Sequence, residues 1–488
     1  MKISKKIVLV TLIFSFALSA ALPVIADVPY RGYTYNHWRD MVPAPVAYIP
    51  VRSITARDIS LTLGAFSLPQ DMATDSNGLI YVMDTGNNRL VIFDPDSDYF
   101  RVIDGFLRDG QSDAFNSPRG VFVCHNNNIY IADTDNRRIV VLDSEGIFIS
   151  QIYDPYFGDI DDEVDFRPLR VAVDRTGRVY VIVMHVFEGI MRFDTDGEFF
   201  GYFGSIRVRI GVIDAFWRMV STQAQRARQR RFIPTEFSGV DVDEYGFVFA
   251  THSDVQGDQV MRLNPRGDNV LRNLNPNTDI SGDQRYFRWG VAGGPSSFID
   301  VVTRPYGMFS TLDINRGRVF TYDSEGNLLY VFGGDGSIMG MNRTPRAIEA
   351  IGDSILVLDA QSGRIVFYEP TEYGQLINTA IALRYQGDEA GSVSIWQQIL
   401  NMDESNELAF TGIGRAHLLA GEYVLAMDYL RRGMDIRHFS AALQRRRQTV
   451  IEANLPFVLT GVLLFAFVMI SRSIYRNVKG LNVKEEIL

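Results

Sequence analysis

Short apolar runs that are typical of β-strands recur along the chain, and each run ends in a turn of acidic, Asn or Gly residues. The clearest unit places residues 79–82 and 90–93, rich in β-branched and aromatic side chains, on either side of the polar segment 84–89. A second unit repeats this pattern over residues 129–142. The pattern predicts pairs of β-strands joined by linkers whose Gly and Asn residues tolerate positive φ.

Four of these units carry an Asp and an Arg five residues apart, at opposite ends of the linker. Opposite charges in these positions can pair across the linker, so we expect an ion pair in each of the four units. The four pairs are Asp84 with Arg89, Asp133 with Arg138, Asp313 with Arg318, and Asp359 with Arg364.

A second polar turn closes each of six units. The intervals between successive closing turns are 49, 51, 70, 59 and 46 residues, near the period of a four-stranded propeller blade with insertions. The chain is therefore predicted to be mainly β and built from repeated sheets. The closing turns begin at Asp94, Asp143, Asp194, Asn264, Asp323 and Glu369.

Two segments, residues 66–94 and 115–143, resemble NHL repeats, which form the blades of six-bladed β-propellers. The third and fourth units lack the Asp and Arg pair, and the last two keep it with altered linkers. The resemblance implies a six-bladed NHL-type β-propeller over residues 49–370, with a strand near residues 51–54 closing the ring. NHL propellers include lactonases, lyases, RNA binders and protein-binding modules, so the resemblance predicts the fold and leaves the function open.

Apolar segments near both termini predict export and membrane anchoring. Basic residues precede an apolar stretch at the N-terminus, so residues 1–26 are expected to be a signal peptide or an uncleaved anchor, followed by a linker over 27–48. Near the C-terminus, an uncharged stretch predicts a transmembrane helix over residues 451–476. Basic residues flank this helix on both sides, so the export signal decides the orientation. The propeller is expected outside the cytoplasm, and residues 477–488 form a cytoplasmic tail.

Charge and cysteine content narrow the class of protein further. The net charge of -10 and the pI of about 5.2 argue against a nucleic-acid partner, which requires a basic surface. Cys124 is the one cysteine, so no intramolecular disulfide can form, and this suits an exported bacterial protein that does not rely on disulfides. With the resemblance to membrane-anchored bacterial NHL proteins, these features indicate the cell membrane of a Gram-positive bacterium.

Helical spacing replaces the strand pattern after the last blade. A self-match at a distance of 34 residues aligns Gly387 with Gly421 and Trp396 with Leu430, and it resembles a tetratricopeptide repeat. Residues 371–450 are therefore predicted to form a small tetratricopeptide-like helical domain. Two roles fit this domain equally: a groove that binds a peptide or protein, and a spacer that lifts the propeller off the membrane.

The innermost strand of each propeller blade lines the central channel, so residues near its start are the natural candidates for a ligand site. Three guanidinium groups and two carboxylates at such positions could bind a carboxylate, a phosphate or a sugar acid. They could equally satisfy one another and plug the channel. The candidates are Asp71, Arg119, Arg170, Asp300 and Arg346.

Enzymes that share this fold suggest what chemistry to test. Gluconolactonase-like enzymes hold a divalent metal in the channel through Glu, Asn and Asp side chains, whereas the corresponding positions here supply arginines. Related lyases use three His residues around zinc, and His125, His185 and His252 lack a suitable spacing. No phosphate loop or Ser or Cys nucleophile motif stands out. The sequence therefore predicts no catalytic residues, no metal site and no cofactor.

A large insertion at residues 206–236 separates the third and fourth units. Its composition predicts one or two amphipathic helices that are basic on one side and aromatic on the other. In an acidic domain, such a segment suggests a contact surface for an acidic partner or for lipid headgroups. Alternatively, the helices pack on a blade edge and leave a solvated arginine face. The partner-binding candidates are Phe216, Trp217, Arg218, Arg226 and Arg230.

These features favour a non-enzymatic, membrane-anchored binding or scaffold protein outside the cytoplasm, with a protein partner at the membrane surface and an accessory role in an envelope or transport complex. Two alternatives remain open from the sequence. The first is a propeller enzyme of the gluconolactonase or lyase type. The second is a sensor of an extracellular sugar or anionic ligand that acts through the helical domain.

Overall fold

Six β-sheets surround a central axis in the computed structural model of the chain. They are the blades of a six-bladed β-propeller, as the sequence predicted. The structure describes residues 28–153, 165–204, 236–252, 259–271, 280, 282–283 and 294–485.

Three strands and one short helix precede the first blade. They are β1 (Tyr33–Tyr35), β2 (Met41–Pro43), β3 (Tyr48–Thr55) and α1 (Ala56–Ile59).

Blades 1 to 3 each contain four antiparallel strands in chain order, and a separate hairpin lies between blades 1 and 2. Blade 1 consists of β4 (Asp71–Thr74), β5 (Ile80–Asp84), β6 (Arg89–Phe93) and β7 (Phe100–Ile103). The hairpin strands are β8 (Gly105–Arg108) and β9 (Gln111–Ala114). Blade 2 consists of β10 (Gly120–Val123), β11 (Ile129–Asp133), β12 (Arg138–Leu142) and β13 (Phe148–Tyr153). Blade 3 consists of β14 (Pro168–Val173), β15 (Val179–Val183), β16 (Ile190–Phe193) and β17 (Phe199–Phe203).

Blades 4 to 6 complete the ring. The described part of blade 4 contains β18 (Phe237–Val242), β19 (Val248–His252) and β20 (Val260–Leu263). Blade 5 contains β21 (Phe298–Thr303), β22 (Phe309–Asp313), β23 (Arg318–Tyr322) and β24 (Leu328–Gly333). Blade 6 contributes β25 (Pro345–Ile351), β26 (Ser354–Asp359) and β27 (Arg364–Pro370).

The ring closes through the N-terminal strand β3, which pairs antiparallel with β27 as the outermost strand of blade 6. The prediction of a closing strand near residues 51–54 is therefore confirmed. The first strands of the six blades, β4, β10, β14, β18, β21 and β25, each contact the first strands of both neighbours. They form a closed inner ring around the channel.

The propeller core consists of apolar clusters, each shared by two neighbouring blades. In β5, Ile80 and Val82 pack towards blade 6, while Tyr81 and Met83 pack towards blade 2. Both faces of such a strand are therefore buried, and this explains why the sequence shows continuous apolar runs instead of alternation with polar residues.

Two of the four predicted Asp and Arg pairs form. Arg89 Nε lies 2.8 Å from Asp84, and Arg138 Nε lies 2.8 Å from Asp133. The prediction for the last two units was wrong, although each Asp faces its Arg across the strand pair. Their arginines bind other groups. Arg318 pairs with Asp283, and Arg364 donates to the carbonyl groups of Ser337, Ile338 and Met341.

Residues 27–48, predicted to be a linker, contain the hairpin β1–β2, which extends blade 5 at the outer edge of β24. The hydroxyl groups of Tyr33 and Tyr35 both donate to the buried carboxylate of Asp283. Arg316 and Arg318 also bind this carboxylate, at 2.8 and 2.5 Å. Asp283 therefore fixes the hairpin to blade 5 through contacts between residues far apart in sequence.

Five further helices follow the propeller. Side chains cap three of the N-termini: Thr371, Asp388 and Asn406 each accept a hydrogen bond from a backbone N–H three residues later. Each helix contacts the next one along the chain. The helices are α2 (Glu372–Tyr385), α3 (Glu389–Met402), α4 (Glu407–Leu419), α5 (Tyr423–Arg432) and α6 (Ile436–Glu485).

Helix α6 runs unbroken through the predicted boundary between the helical domain and the membrane helix. Within the described residues, one helix is long and apolar enough to cross a membrane. This segment is Ile436–Arg476, and its most apolar window, with a mean hydropathy of 2.2, has no residue buried in the protein.

Candidate functional site

The channel positions arise from a shared register in the first strands of the blades. Four of these strands, β14, β18, β21 and β25, shift register by one residue near their start. As a result, Asp71, Arg170 and Asp300 occupy equivalent positions. Each pairs with the last residue but one of the second strand in its blade. Gly120 and Gly239 take the equivalent positions in blades 2 and 4.

These glycines permit close approach of the neighbouring blades. A Cβ atom on Gly239 would lie 2.6 Å from the Cα atom of Asp300, and one on Gly120 would lie 2.7 Å from the carbonyl oxygen of Leu169. Distances this short require the backbone to move. The inner ring is therefore tight where the polar channel residues lie.

Arg170 crosses the channel. It starts in blade 3, forms an ion pair with Asp71 of blade 1, and donates a hydrogen bond of 2.7 Å to the carbonyl oxygen of Arg346 in blade 6. Blade 6 lies opposite blade 3 in the ring. The side chain therefore ties three blades together and fills the channel axis at this level.

The two predicted carboxylates also join blades. Asp71 Oδ2 accepts a hydrogen bond of 2.9 Å from the backbone N–H of Val121 in blade 2. Asp300 Oδ2 accepts one of 2.9 Å from the N–H of Ile348 in blade 6. Burial raises the pKa of Asp300, while nearby Arg170 opposes this shift. Both carboxylates are buried, and each links its blade to the next one through these hydrogen bonds.

Arg119 and Arg346 differ from Arg170. Among the residues that the structure describes, neither side chain has a carboxylate within ion-pair distance, and the buried Nε of Arg346 has no hydrogen-bond partner. Burial lowers the pKa of Arg346, and the positive charges of Arg170 and Arg119 lower it further. The structure thus gathers three guanidinium groups and neutralises one of them directly.

Two further carboxyl groups, which the sequence analysis missed, lie deeper in the channel. Burial raises the pKa of Asp241 to about 6, although it accepts hydrogen bonds of 2.6 and 2.8 Å from the N–H and hydroxyl of Thr303. Burial and the neighbouring Asp241 and Asp300 raise the pKa of Glu349 well above its ordinary value. Asp241 follows Gly239 by two residues, and Glu349 follows Ala347, the equivalent position in blade 6, by two residues. This period-2 spacing was the available signal.

The two ends of the channel differ. Arg119 directly precedes β10, and Arg346 is the second residue of β25, so both lie where the innermost strands begin. The helices contact the opposite face, where those strands end: Tyr385 of α2 packs against Tyr306, which follows β21. The arginine end of the channel therefore faces away from the helices.

A cavity of about 560 Å³ lies between the hairpin β1–β2, blade 5 and the helices. It is lined on these three sides by residues that include His37, Leu329, Glu407 and Arg437. Burial raises the pKa of the Glu407 carboxyl. Trp38, at the tip of the hairpin beside this cavity, is 66% exposed.

The predicted insertion at 206–236 falls almost wholly outside the described residues, including Phe216, Trp217, Arg218, Arg226 and Arg230. The predicted signal peptide also lies outside them. Within the part of the chain that the structure describes, no group of three or more His, Cys, Asp or Glu side chains could hold a metal ion.

One comparison with known proteins agrees with the architecture. A family model described as the NHL repeat matches residues 66–93, and a search of curated proteins found no match. Among solved structures, the chain resembles virginiamycin B lyase from Staphylococcus aureus at 10% sequence identity, covering 65% of this chain and 98% of that one, with a TM-score of 0.41.

Two further solved structures show how varied the similar proteins are. Aldose sugar dehydrogenase from Streptomyces coelicolor, in its PQQ-bound form, is 13% identical, with coverage of 67% and 99% and a TM-score of 0.38. The major allergen Mala s 1 of Malassezia sympodialis is 14% identical, with coverage of 67% and 97% and a TM-score of 0.38. At these identities and scores, the likenesses carry no inference about the chemistry of this chain.

Proposed function

We propose that this chain is a non-enzymatic, membrane-anchored binding or scaffold protein whose propeller and helices act as one rigid unit outside the cytoplasm. The observation that carries this proposal is a single apolar core that runs from blades 5 and 6 into helices α2, α3 and α4. Tyr48, Tyr330 and Tyr368 of the propeller belong to the same buried cluster as Ile377 and Trp396 of the helices.

A buried polar network reinforces this junction. Arg304, at the end of β21, donates hydrogen bonds of 2.8 Å to the hydroxyl groups of Tyr330 and Tyr48. The Tyr330 hydroxyl donates to Asn378 of α2, whose amide donates to the Tyr48 hydroxyl. Removing one member of such a network leaves buried polar groups unsatisfied, at a cost of roughly 1–3 kcal/mol for each group. The network therefore favours one fixed orientation of the helices on the propeller.

Ion pairs extend the contact to the next helices. Arg384 of α2 pairs with Asp323 and Glu325 in the closing turn of blade 5. Arg415 of α4 approaches Glu325 at 3.4 Å and Glu389 of α3 at 3.2 Å. Both arginine side chains are largely buried, so these pairs are screened less by solvent than surface pairs. They tie three helices to one turn of the propeller.

The rigid unit continues into the apolar helix. The first turns of α6 pack on α4 and α5 through a cluster that includes Leu430 and Ala442, and the same helix then extends into the exposed apolar segment. In our proposal this segment spans the membrane with the propeller outside and residues 477–488 inside, the orientation that the predicted export signal favours.

A protein partner at the membrane surface is the proposed ligand of this scaffold. The cavity at the junction supports this proposal because propeller, hairpin and helices all contribute to it. Trp38 beside it offers a large exposed aromatic side chain of the kind that anchors interfaces. The insertion at 206–236 stays a second predicted contact surface.

The test uses the full chain in bacterial membranes. We expect alkaline carbonate to leave the chain in the membrane, and a variant with Leu463→Arg and Phe467→Arg to be released, because two charges in the apolar segment oppose insertion. A photo-reactive amino acid at Trp38 should cross-link one defined protein. The same group at Tyr99, which is 48% exposed on blade 1, serves as the control. Release of the full chain, or identical products from both positions, would contradict the proposal.

A further inference from the structure

We propose that Arg119 and Arg346 form a binding site for a small oxyanion, a carboxylate or phosphate group, at the channel mouth where the innermost strands begin. This site goes beyond the scaffold role and does not depend on it. Arg119 and Arg346 both lie where the innermost strands begin, on the propeller face that points away from the helices, and the Arg170 guanidinium reaches the carbonyl oxygen of Arg346 there.

Among the described residues, no channel carboxylate forms an ion pair with Arg119 or Arg346, and the two predicted ones bind other groups. Asp71 binds Arg170 through Oδ1 and the N–H of Val121 through Oδ2. Asp300 Oδ2 accepts from the N–H of Ile348. The ring is therefore not a self-satisfied plug: Arg170 plugs the axis, whereas Arg119 and Arg346 keep their charge unmatched among the residues described.

Unmatched charges in a partly buried site are energetically costly. Charges removed from water are normally paired or bound to ions. Here burial and two like charges act on Arg346 at once, and they lower its pKa. A bound oxyanion would remove this repulsion and supply an acceptor for the orphaned Nε of Arg346. The arrangement of these arginines therefore favours the binding of an anion.

The chemistry and the depth of the site limit the ligand. Planar guanidinium groups donate parallel hydrogen bonds that match carboxylate and phosphate oxygens. Arg170 crosses the channel beneath them, so a ligand binds at the mouth and does not pass through. The deeper carboxyl groups of Asp241 and Glu349 also disfavour a negative charge further inside. The ligand is accordingly a small anion or the anionic end of a larger molecule.

The experiment titrates the purified full chain, in detergent at constant ionic strength, with sodium gluconate and with inorganic phosphate by calorimetry. The two probes distinguish a carboxylate site from a phosphate site. We expect at least one of them to bind and its affinity to fall about tenfold in both Arg119→Gln and Arg346→Gln, since each variant loses charge-assisted hydrogen bonds. Arg175→Gln, in an exposed turn on the opposite face, should bind like the parent chain.

Stability provides an independent readout. Because the two arginines repel without a ligand, the anion-free Arg346→Gln variant should melt no lower than the parent chain, and added anion should raise the melting temperature of the parent chain and of Arg175→Gln by more than that of Arg346→Gln. Should Arg346→Gln fail to fold, Arg346→Lys keeps the charge, loses the planar donor pair and should still bind more weakly. Absence of binding of both anions to the parent chain, or unchanged affinity in the Arg119 and Arg346 variants, would overturn the site and leave the scaffold proposal intact.

Discussion

In several blades, an aspartate at the end of the second strand accepts a hydrogen bond from the loop that leads into the first strand of the same blade. In blade 1, Asp84 accepts a hydrogen bond of 2.7 Å from the N–H of Ser67, and in blade 2 Asp133 accepts one of 2.8 Å from the N–H of Asn116. Asp313 and Asp359 do the same in blades 5 and 6 without pairing with the arginine five residues on. The loop contact is therefore the shared role of the aspartate.

We predict that Asp84→Ala lowers the free energy of unfolding by about 3–5 kcal/mol, the cost of breaking a buried charge pair. The variant loses the acceptor for Ser67, Asn87 and Arg89 at once. Arg89→Met should also destabilise the chain, because it leaves the buried charge of Asp84 without its partner, but by less than Asp84→Ala, because Asp84 keeps its other two hydrogen bonds. Urea-induced unfolding of the full chain, followed by circular dichroism, measures both changes.

Asp359 provides the matched control because it fastens the N–H groups of Arg343 and Thr344 without an arginine partner. Asp359→Ala should therefore destabilise the chain by more than Arg89→Met. A neutral effect of Asp359→Ala, or equal losses from Asp84→Ala and Arg89→Met, would show that the ion pair matters more than the loop contact.

Asp241 gives the fold a dependence on pH. Its pKa of about 6 in the folded chain lies above the ordinary value of 3.8, so the folded state holds a proton that the unfolded state releases. Its contribution to stability is full below about pH 4 and is lost as the pH rises to about 6, a change on the order of 2–3 kcal/mol. Asp241→Asn should gain stability relative to the parent chain between these limits. Urea unfolding at pH 4.5 and pH 7 tests this, with Asp196→Asn in an exposed turn as the control.

At the scale of elements, the sequence predicts what is encoded locally. The six blades follow from apolar runs and turns, and the strand at residues 51–54 follows from the need to cover the free edge. The hairpin β1–β2 was missed because Tyr33 and Tyr35 are held by Asp283, about 250 residues away. No local pattern marks such a contact.

The contacts in the channel also join residues far apart in the chain, so the sequence could not predict them. The sequence placed Arg119, Arg170 and Arg346 near the axis because each lies near the start of a first strand. It could not separate their roles, since Arg170 is satisfied by Asp71 and by a carbonyl of the opposite blade, contacts that exist only in the closed ring. The resemblance of the helices to tetratricopeptide repeats likewise rests on the spacing of the sequence alone.

At the scale of the whole molecule, the helices are part of the propeller core. Trp396 of α3 is fully buried in the cluster shared with blades 5 and 6, whereas Leu430 of α5 is equally buried in a cluster confined to α4, α5 and α6. If the propeller and the apolar helix are rigidly connected, a cavity in the cluster around Trp396 must also destabilise the blades that share this cluster.

We predict that Trp396→Ala, which removes a large side chain from a packed core at a cost of about 3–5 kcal/mol, increases hydrogen–deuterium exchange both in the helices and in β26 of blade 6. Leu430→Ala is the matched control, because its cluster contains no propeller residue, and its effect should stay within α4 to α6. The measurement uses the full chain in detergent. If Trp396→Ala loosens the helices alone, propeller and helices are independent domains and the scaffold cannot transmit orientation from blade to membrane.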